Sequence, residues 1–211
     1  MIPPTVNSIA GLLDLIRQGD SQQRRLIAIA APPAAGKSTL AKVLVEALNQ
    51  SQADSAKVIP MDGFHLDNRV LLKRGLLTRK GAPETFDARG FMHLIKRLKV
   101  ESEVVFPLFD RERDIAIAGA DVVQEQHKIL VVEGNYLLLN REPWNQLSDL
   151  WDLSIWIEVE EAVLEQRLIE RWLGYGFSEE EAKAKTLVND LPNAKLIIKE
   201  SKTAHYHIKY Y

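Results

Sequence analysis

The sequence predicts an α/β fold of three layers, a central parallel sheet of about five strands flanked by helices. Two observations carry that prediction. Short β-branched runs alternate along the chain with stretches of helical periodicity, the pattern left by parallel strands joined through crossover helices. Three of those runs, Leu26–Ala30, Ile129–Val132 and Leu153–Ile157, are apolar nearly throughout, as strands covered on both faces are.

Each element follows from its own pattern. Ile9, Leu12, Leu13 and Ile16 recur at i, i+3, i+4 and i+7, which predicts a first helix over about residues 5–18. A second helix is expected from Lys37 to Asn49, then a short strand at Val58-Ile59-Pro60-Met61. Residues 62–86 read as loop and short helix, and Phe91, Leu94, Ile95 and Leu98 mark another amphipathic helix. Val104–Phe109 and Asp121–Gln126 form a β-excursion around Gly119. Leu164, Leu168 and Trp172 make one helical stripe that stops near Gly174 and Gly176. Ser178 and Glu181 have capping-box spacing and start a new helix. Asp190, two residues before Pro192, is read as the N-cap of the last helix, and His205-Tyr206-His207-Ile208 as a final strand. No linker divides the 211 residues, so one domain is expected over 1–211.

Composition narrows the function classes. Lys and Arg number 27 against 29 Asp and Glu, a net charge of −2 that gives no electrostatic case for binding nucleic acid. Cys is absent, which removes disulfides, zinc thiolates and thiol nucleophiles from consideration. The longest apolar candidate, Ile129–Leu139, is interrupted by Glu133, Gly134 and Asn135 and falls short of the ~18 residues a membrane span needs. The N-terminus lacks a basic region, and its first apolar stretch contains Asp14, a poor signal peptide. The expectation is a cytoplasmic protein with no membrane partner. A homodimer is one assembly the sequence leaves open.

The strongest chemical signal is Ala31-Pro32-Pro33-Ala34-Ala35-Gly36-Lys37-Ser38-Thr39. It stands between a buried strand and a helix, the context of a phosphate-binding loop. Backbone N–H groups of Ala34, Ala35, Gly36, Lys37, Ser38 and Thr39 would wrap the β- and γ-phosphates of a nucleotide at the positive end of the helix. Lys37 would reach the same phosphates, and the Ser38 hydroxyl would ligate magnesium. The full pattern opens with Gly, whereas Ala31 stands here. That methyl group costs ~1 kcal/mol if the backbone needs positive φ, and nothing otherwise.

Glu133 directly follows the Ile129–Val132 strand. An acid at the carboxyl end of a central parallel strand faces the crevice where ligands bind in such sheets. There it holds magnesium through water, polarises a nucleophile, or merely caps a helix.

Met61-Asp62-Gly63-Phe64-His65-Leu66-Asp67-Asn68, Lys80-Gly81-Ala82-Pro83-Glu84-Thr85-Phe86-Asp87, Pro107-Leu108-Phe109-Asp110, Val132-Glu133-Gly134-Asn135-Tyr136-Leu137-Leu138 and Asn189-Asp190-Leu191-Pro192-Asn193-Ala194 occur in that order. With them the chain resembles the phosphoribulokinase/uridine kinase/pantothenate kinase family of P-loop small-molecule kinases, especially its pantothenate-kinase-like and fructose-transport-system-kinase-like members. The likeness covers about residues 25–200. It implies the P-loop NTPase fold with strand order 2-3-1-4-5 and a helical lid near residues 160–180, together with ATP and magnesium as cofactors. It also implies that Asp62 orients or deprotonates the acceptor hydroxyl and that Glu133 is the central-strand acid. Arg167 and Arg171 match the lid arginines that close over the phosphates, and being four apart they share one helical face; the alternative is a solvated face paired with Glu161 or Glu170. Asn189 and Asn193 fall where relatives contact adenine or close the site.

On the acceptor side, His65 adjoins the acceptor acid and is expected either to donate to a substrate hydroxyl or to make a bond inside its own loop. Uridine-type members carry Tyr where Phe109 stands, so uridine is not favoured. Asp110, Arg111 and Arg113 form a charged cluster that reads a polar or anionic acceptor or forms a surface network. The function expected is transfer of the γ-phosphate of ATP to a hydroxyl of a small metabolite, a sugar or pantothenate-like alcohol. The alternatives are a P-loop ATPase or a nucleotide-binding regulator without such an acceptor. Neither an [Asn/Thr]-Lys-x-Asp guanine motif nor a Leu-Ser-Gly-Gly transporter signature occurs.

Overall fold

The apolar runs become the middle of a parallel sheet. In the computed structural model, residues 3–19 and 23–209 are described. The expected domain extent of 1–211 also takes in residues 1–2, 20–22 and 210–211, which lie outside them. The elements are β1 (Thr5–Val6), α1 (Ile9–Arg17), β2 (Arg25–Ala30), α2 (Lys37–Ser51), β3 (Ala56–Pro60), α3 (Asn68–Lys73), α4 (Ala88–Val100), β4 (Val104–Asp110), β5 (Ile115–Val123) and β6 (Ile129–Gly134). There follow β7 (Leu153–Glu158), α5 (Glu161–Gly174), α6 (Glu179–Lys185), α7 (Leu191–Glu200) and β8 (Tyr206–Lys209).

The main sheet has six strands in the order β1-β8-β7-β2-β6-β3, and every pairing in it is parallel. Five of them reproduce the expected order. The sixth, β1, lies where a helix over residues 5–18 was expected. Thr5 and Val6 are β-branched and pair with His207 and Ile208, and the Ser8 side chain accepts from Gly11 N at 3.1 Å to cap α1, which therefore begins only at Ile9.

Apolar side chains close both faces of the sheet. On one side Leu12 and Ile16 of α1 and Leu40 and Leu44 of α2 cover Ile27, Ile29 and Ile155. On the other, Phe91 and Ile95 of α4, Tyr136 and Trp144 cover Ala28, Ala30 and Val132. Arg24 pins the edge of that second layer, its guanidinium donating to the carbonyls of His127, Leu98, Glu101, Ser102 and Gln124 at 2.6–3.1 Å.

The β-excursion is a separate antiparallel hairpin, β4–β5. Its turn falls at Arg111–Asp114, with Asp114 at φ 55°, rather than around Gly119, and β5 stops at Val123 rather than running to Gln126. Gly119 (φ 66°) instead takes up the register shift opposite Phe106 and Leu108. Ser178 and Glu181 form the expected capping box. Asp190 is no cap. It has helical φ and ψ and makes no side-chain cap bond, because a π-helical stretch, Thr186–Asp190, joins α6 to α7 without a break. Pro192, with no N–H to donate, falls in the first turn of α7, just after that stretch.

Candidate active site

The loop between β2 and α2 presents bare amides. Helix α2 starts at Lys37 with Gly36 as N-cap and no side-chain cap bond, so its first N–H groups are open to an anion. Gly36 has φ 93°, a left-handed conformation that glycine takes without strain, and Ala34 also has positive φ, 62°. Ala31 is not among the described residues with positive φ, so the missing first glycine carries no backbone cost.

Lys37 is buried and donates from Nζ to Pro32 O at 2.9 Å. Burial lowers its pKa to about 8; the charges of Glu133 and Asp62 pull it back up, and those of Arg171 and Arg111 push it further down. Five groups drawn from five segments therefore converge on one crevice at the carboxyl edge of the sheet. Ser38 Oγ donates to Glu133 Oε1 at 2.9 Å. Burial raises the Glu133 pKa and the nearby Asp62 charge adds to the rise, against Lys37 and the Ser38 bond. A hydroxyl and a buried carboxylate side by side suit a hard divalent cation. Among the described residues no group of three or more His, Cys, Asp or Glu side chains comes together.

Asp62 follows β3 in a 3₁₀ turn, Met61–Phe64. Its Oδ2 accepts from Arg111 Nη2 at 2.6 Å. His65 Nδ1 lies 2.8 Å from the Asp62 carbonyl oxygen. A carbonyl only accepts, so Nδ1 carries the proton. Burial holds the ring below its usual pKa, with Asp62 opposing, and the neutral ring thus offers Nε2 as an acceptor. The contact to Asp62 O is the bond inside its own loop, one of the two roles the sequence offered for His65. The ring lies tilted between Phe86 and Phe109, with centroids at 4.0 and 4.5 Å and interplanar angles of 43° and 33°, and Lys80 Nζ stands 5.2 Å over Phe109. Of the charged cluster, Arg113 pairs with Asp110 at 2.7 Å within the turn, whereas Arg111 leaves that network for the crevice.

Arg171 does not pair with Glu161 or Glu170. It donates to Asp190 Oδ2 at 3.1 Å, which also accepts from Trp172 Nε1 at 2.6 Å. Arg167 lies one turn earlier on α5 and is half-buried. Asn193 is buried and donates to Asn189 Oδ1 at 3.3 Å, and Asn189 donates to Lys80 O at 2.9 Å. These amides tie α7, through the π-helical stretch, to the Lys80–Gly81 loop. Asp190 and Lys80 escaped the sequence reading as site residues, although both lie inside quoted motifs.

The profile of the phosphoribulokinase / uridine kinase family matches residues 26–209. The chain belongs to that family. A Silicibacter sp. TM1040 protein, provisionally named a fructose transport system kinase, superposes with TM-score 0.91 at 46% identity over 96% of this chain and 99% of its own. A Schizosaccharomyces pombe protein provisionally named a uridine kinase is 36% identical over 86% of this chain and 81% of its own length. The pantothenate kinase of Ligilactobacillus salivarius is 32% identical over 70% of this chain, and the match spans about half, 49%, of that enzyme. Family and fold neighbours alike are small-molecule kinases, and this chain is an ATP-dependent enzyme of that kind.

Proposed function

We propose that the protein transfers the γ-phosphate of ATP to a hydroxyl group of a small polar metabolite, with Asp62 as the acceptor base. The observation that carries this reading is the convergence of Lys37, the Ser38–Glu133 pair and Asp62 at the ends of neighbouring strands. ATP lays its phosphates on the amides of the loop, where Lys37 exchanges the Pro32 carbonyl for phosphate oxygens. Ser38 and Glu133 would hold magnesium, which when bound supplies positive charge beside the phosphates.

The adenine of ATP would enter a cavity of about 230 Å³ beside the loop, whose lining includes Pro32, Trp156, Val159, Glu160, Ile198 and Lys209. Asn193, expected at the nucleotide, is a positioning residue in this reading. Asp62 accepts a hydrogen bond from the acceptor hydroxyl and takes its proton as the oxygen–phosphorus bond forms and the bond to the ADP oxygen breaks. Arg171, aimed by Asp190, and Arg167 close over the transferring group as α5 and the turn after it move as a lid.

A screen of ADP release over sugars, nucleosides, pantothenate and glycerate tests the reading. Release that rises with one acceptor class, and disappears in Lys37→Ala, is the expected result. ADP release indifferent to every acceptor would return the protein to the ATPase or regulator alternative.

A further inference from the structure

We propose that the acceptor is a hydroxy acid and that Arg111 is the residue that selects it; the inference rests on the kinase reading above. Arg111 sits on the hairpin turn, where Asp110 and Arg113 already satisfy each other through two bonds, at 2.7 and 2.9 Å. It contributes nothing to that turn. It reaches across 49 residues of sequence to Asp62 and spends one Nη2 bond there. Tyr175, at the end of α5, stands against the same guanidinium. A guanidinium has five N–H donors, so after Asp62 and Tyr175 most of its fork is left without a protein partner, and the side chain is exposed.

The neighbouring cations are already committed. Lys80 is paired with Asp114 at 2.8 Å and also donates to Asn68 Oδ1 at 2.7 Å. Arg171 is paired with Asp190, and Lys37 serves the phosphates. On the acceptor side, among the described residues, Arg111 is the cation with donors in hand. Beside it stand a neutral imidazole whose Nε2 accepts and the aromatic walls of Phe86 and Phe109. A neutral acceptor would leave the guanidinium fork to water. A planar carboxylate matches it with two parallel bonds.

The distances limit the acceptor further. Arg111 holds Asp62 through Oδ2, which leaves Oδ1 to the acceptor hydroxyl. The hydroxyl on Oδ1 and the carboxylate on the guanidinium fork are then held by two groups that are themselves only 2.6 Å apart. That corresponds to a compact hydroxy acid with a few carbon atoms between them. Further hydroxyls would donate to His65 Nε2.

The test uses matched acceptors differing only at the acid: glycerate against glycerol, a sugar acid against its sugar alcohol, and pantothenate against pantothenyl alcohol, with a sugar phosphate as a separate arm. Wild type, Arg111→Gln and Arg111→Lys are compared, with melting temperature and calorimetric nucleotide affinity measured on each. The expected result is kcat/KM for one acid at least ~10²-fold above its matched alcohol, judged from sites that read a polar group through charge-assisted bonds. In Arg111→Gln that ratio collapses through KM for the acid, and Arg111→Lys recovers only part of it. A neutral alcohol or nucleoside as best acceptor, or an acid preference that survives Arg111→Gln, overturns the inference and leaves the kinase reading standing. A sugar phosphate preferred over every carboxylate also overturns it. ADP release indifferent to every acceptor overturns both.

Discussion

Arg111 Nη2 stands 2.6 Å from Asp62 Oδ2, so the turn of a two-stranded hairpin holds the carboxylate that ends a strand of the main sheet. The contact engages one oxygen of Asp62, Oδ2, and leaves Oδ1 to another partner. It also sets the first prediction. Asp62→Asn keeps an oxygen for Arg111 and keeps the side-chain shape, but loses basicity and charge. Nucleotide affinity and melting temperature stay near those of the wild type, because Lys37 bonds Pro32 O rather than Asp62, and Glu133, the larger of the two charges that support its ammonium, is kept. Acceptor-dependent ADP release falls by at least ~10²-fold. Full turnover in this variant would reduce Asp62 to a loop cap and make Glu133 the next residue to test.

Lys37 gives a pH prediction with a definite sign. Burial lowers its pKa to about 8 from 10.5. Between those values the unfolded chain holds more protons than the native one, so stability rises with pH through that window, and the full penalty of burying the charge is present below about 8. A bound triphosphate restores the ammonium. Binding of a non-hydrolysable ATP analogue therefore takes up a proton at about pH 8.5 and takes up none through this group at about pH 6.5. Calorimetry in buffers of different ionisation enthalpy reads that uptake. Lys37→Arg, charged throughout, abolishes it. Equal uptake in that variant would assign the proton to another group.

If Arg167 and Arg171 are lid arginines, as proposed, they act late. Arg171 is held by Asp190, and its buried Nε has no partner, so it has donors for phosphate oxygens once α5 closes. Replacing Arg167 and Arg171 together by Ala lowers kcat by at least ~10²-fold while nucleotide affinity changes little, because charge moves onto those oxygens only during transfer. Steady-state kinetics with a saturating acceptor checks this. An unchanged kcat would leave Arg171 a structural partner of Asp190 and return Arg167 to a solvated helix face.

Where burial and local chemistry agree, the sequence is readable. The three apolar runs became β2, β6 and β7, and the Gly36-Lys37-Ser38 triplet became the uncapped start of α2. Asp62 and Glu133 stand at strand ends, as their neighbours in sequence imply. What could not be read depends on distant contacts. Thr5–Val6 becomes a strand only because β8 is there to pair with it. Asp190 looks like a cap in sequence, but Arg171 and Trp172 from α5 claim its carboxylate. The proton on His65 Nδ1 follows from one carbonyl three residues away, which no spacing rule supplies.

Gly63 couples the hairpin to the site and gives the last prediction. A Cβ built there would stand 2.2 Å from Pro107 O and 2.7 Å from Pro107 C. These are backbone atoms of β4 that no side-chain rotation can remove. Gly63→Ala therefore pushes β4 away from the Met61–Phe64 turn. Overpacking of this kind costs about 1–3 kcal/mol, which lowers the melting temperature of a chain this size by roughly 3–10 °C. The functional effect is more selective. Arg111 and Phe109 ride on the displaced hairpin, whereas the phosphate loop does not. KM for the acceptor rises by at least ~10-fold, the order expected when a positioned contact is misplaced by about 1 Å, while calorimetric nucleotide affinity stays close to wild type. Thermal melts and acceptor titrations on one preparation separate the two effects. A variant that melts earlier with an unchanged acceptor KM would show that the hairpin stabilises the fold without shaping the acceptor pocket. Parallel loss of nucleotide affinity would show that the Asp62 turn and the phosphate loop move as one body.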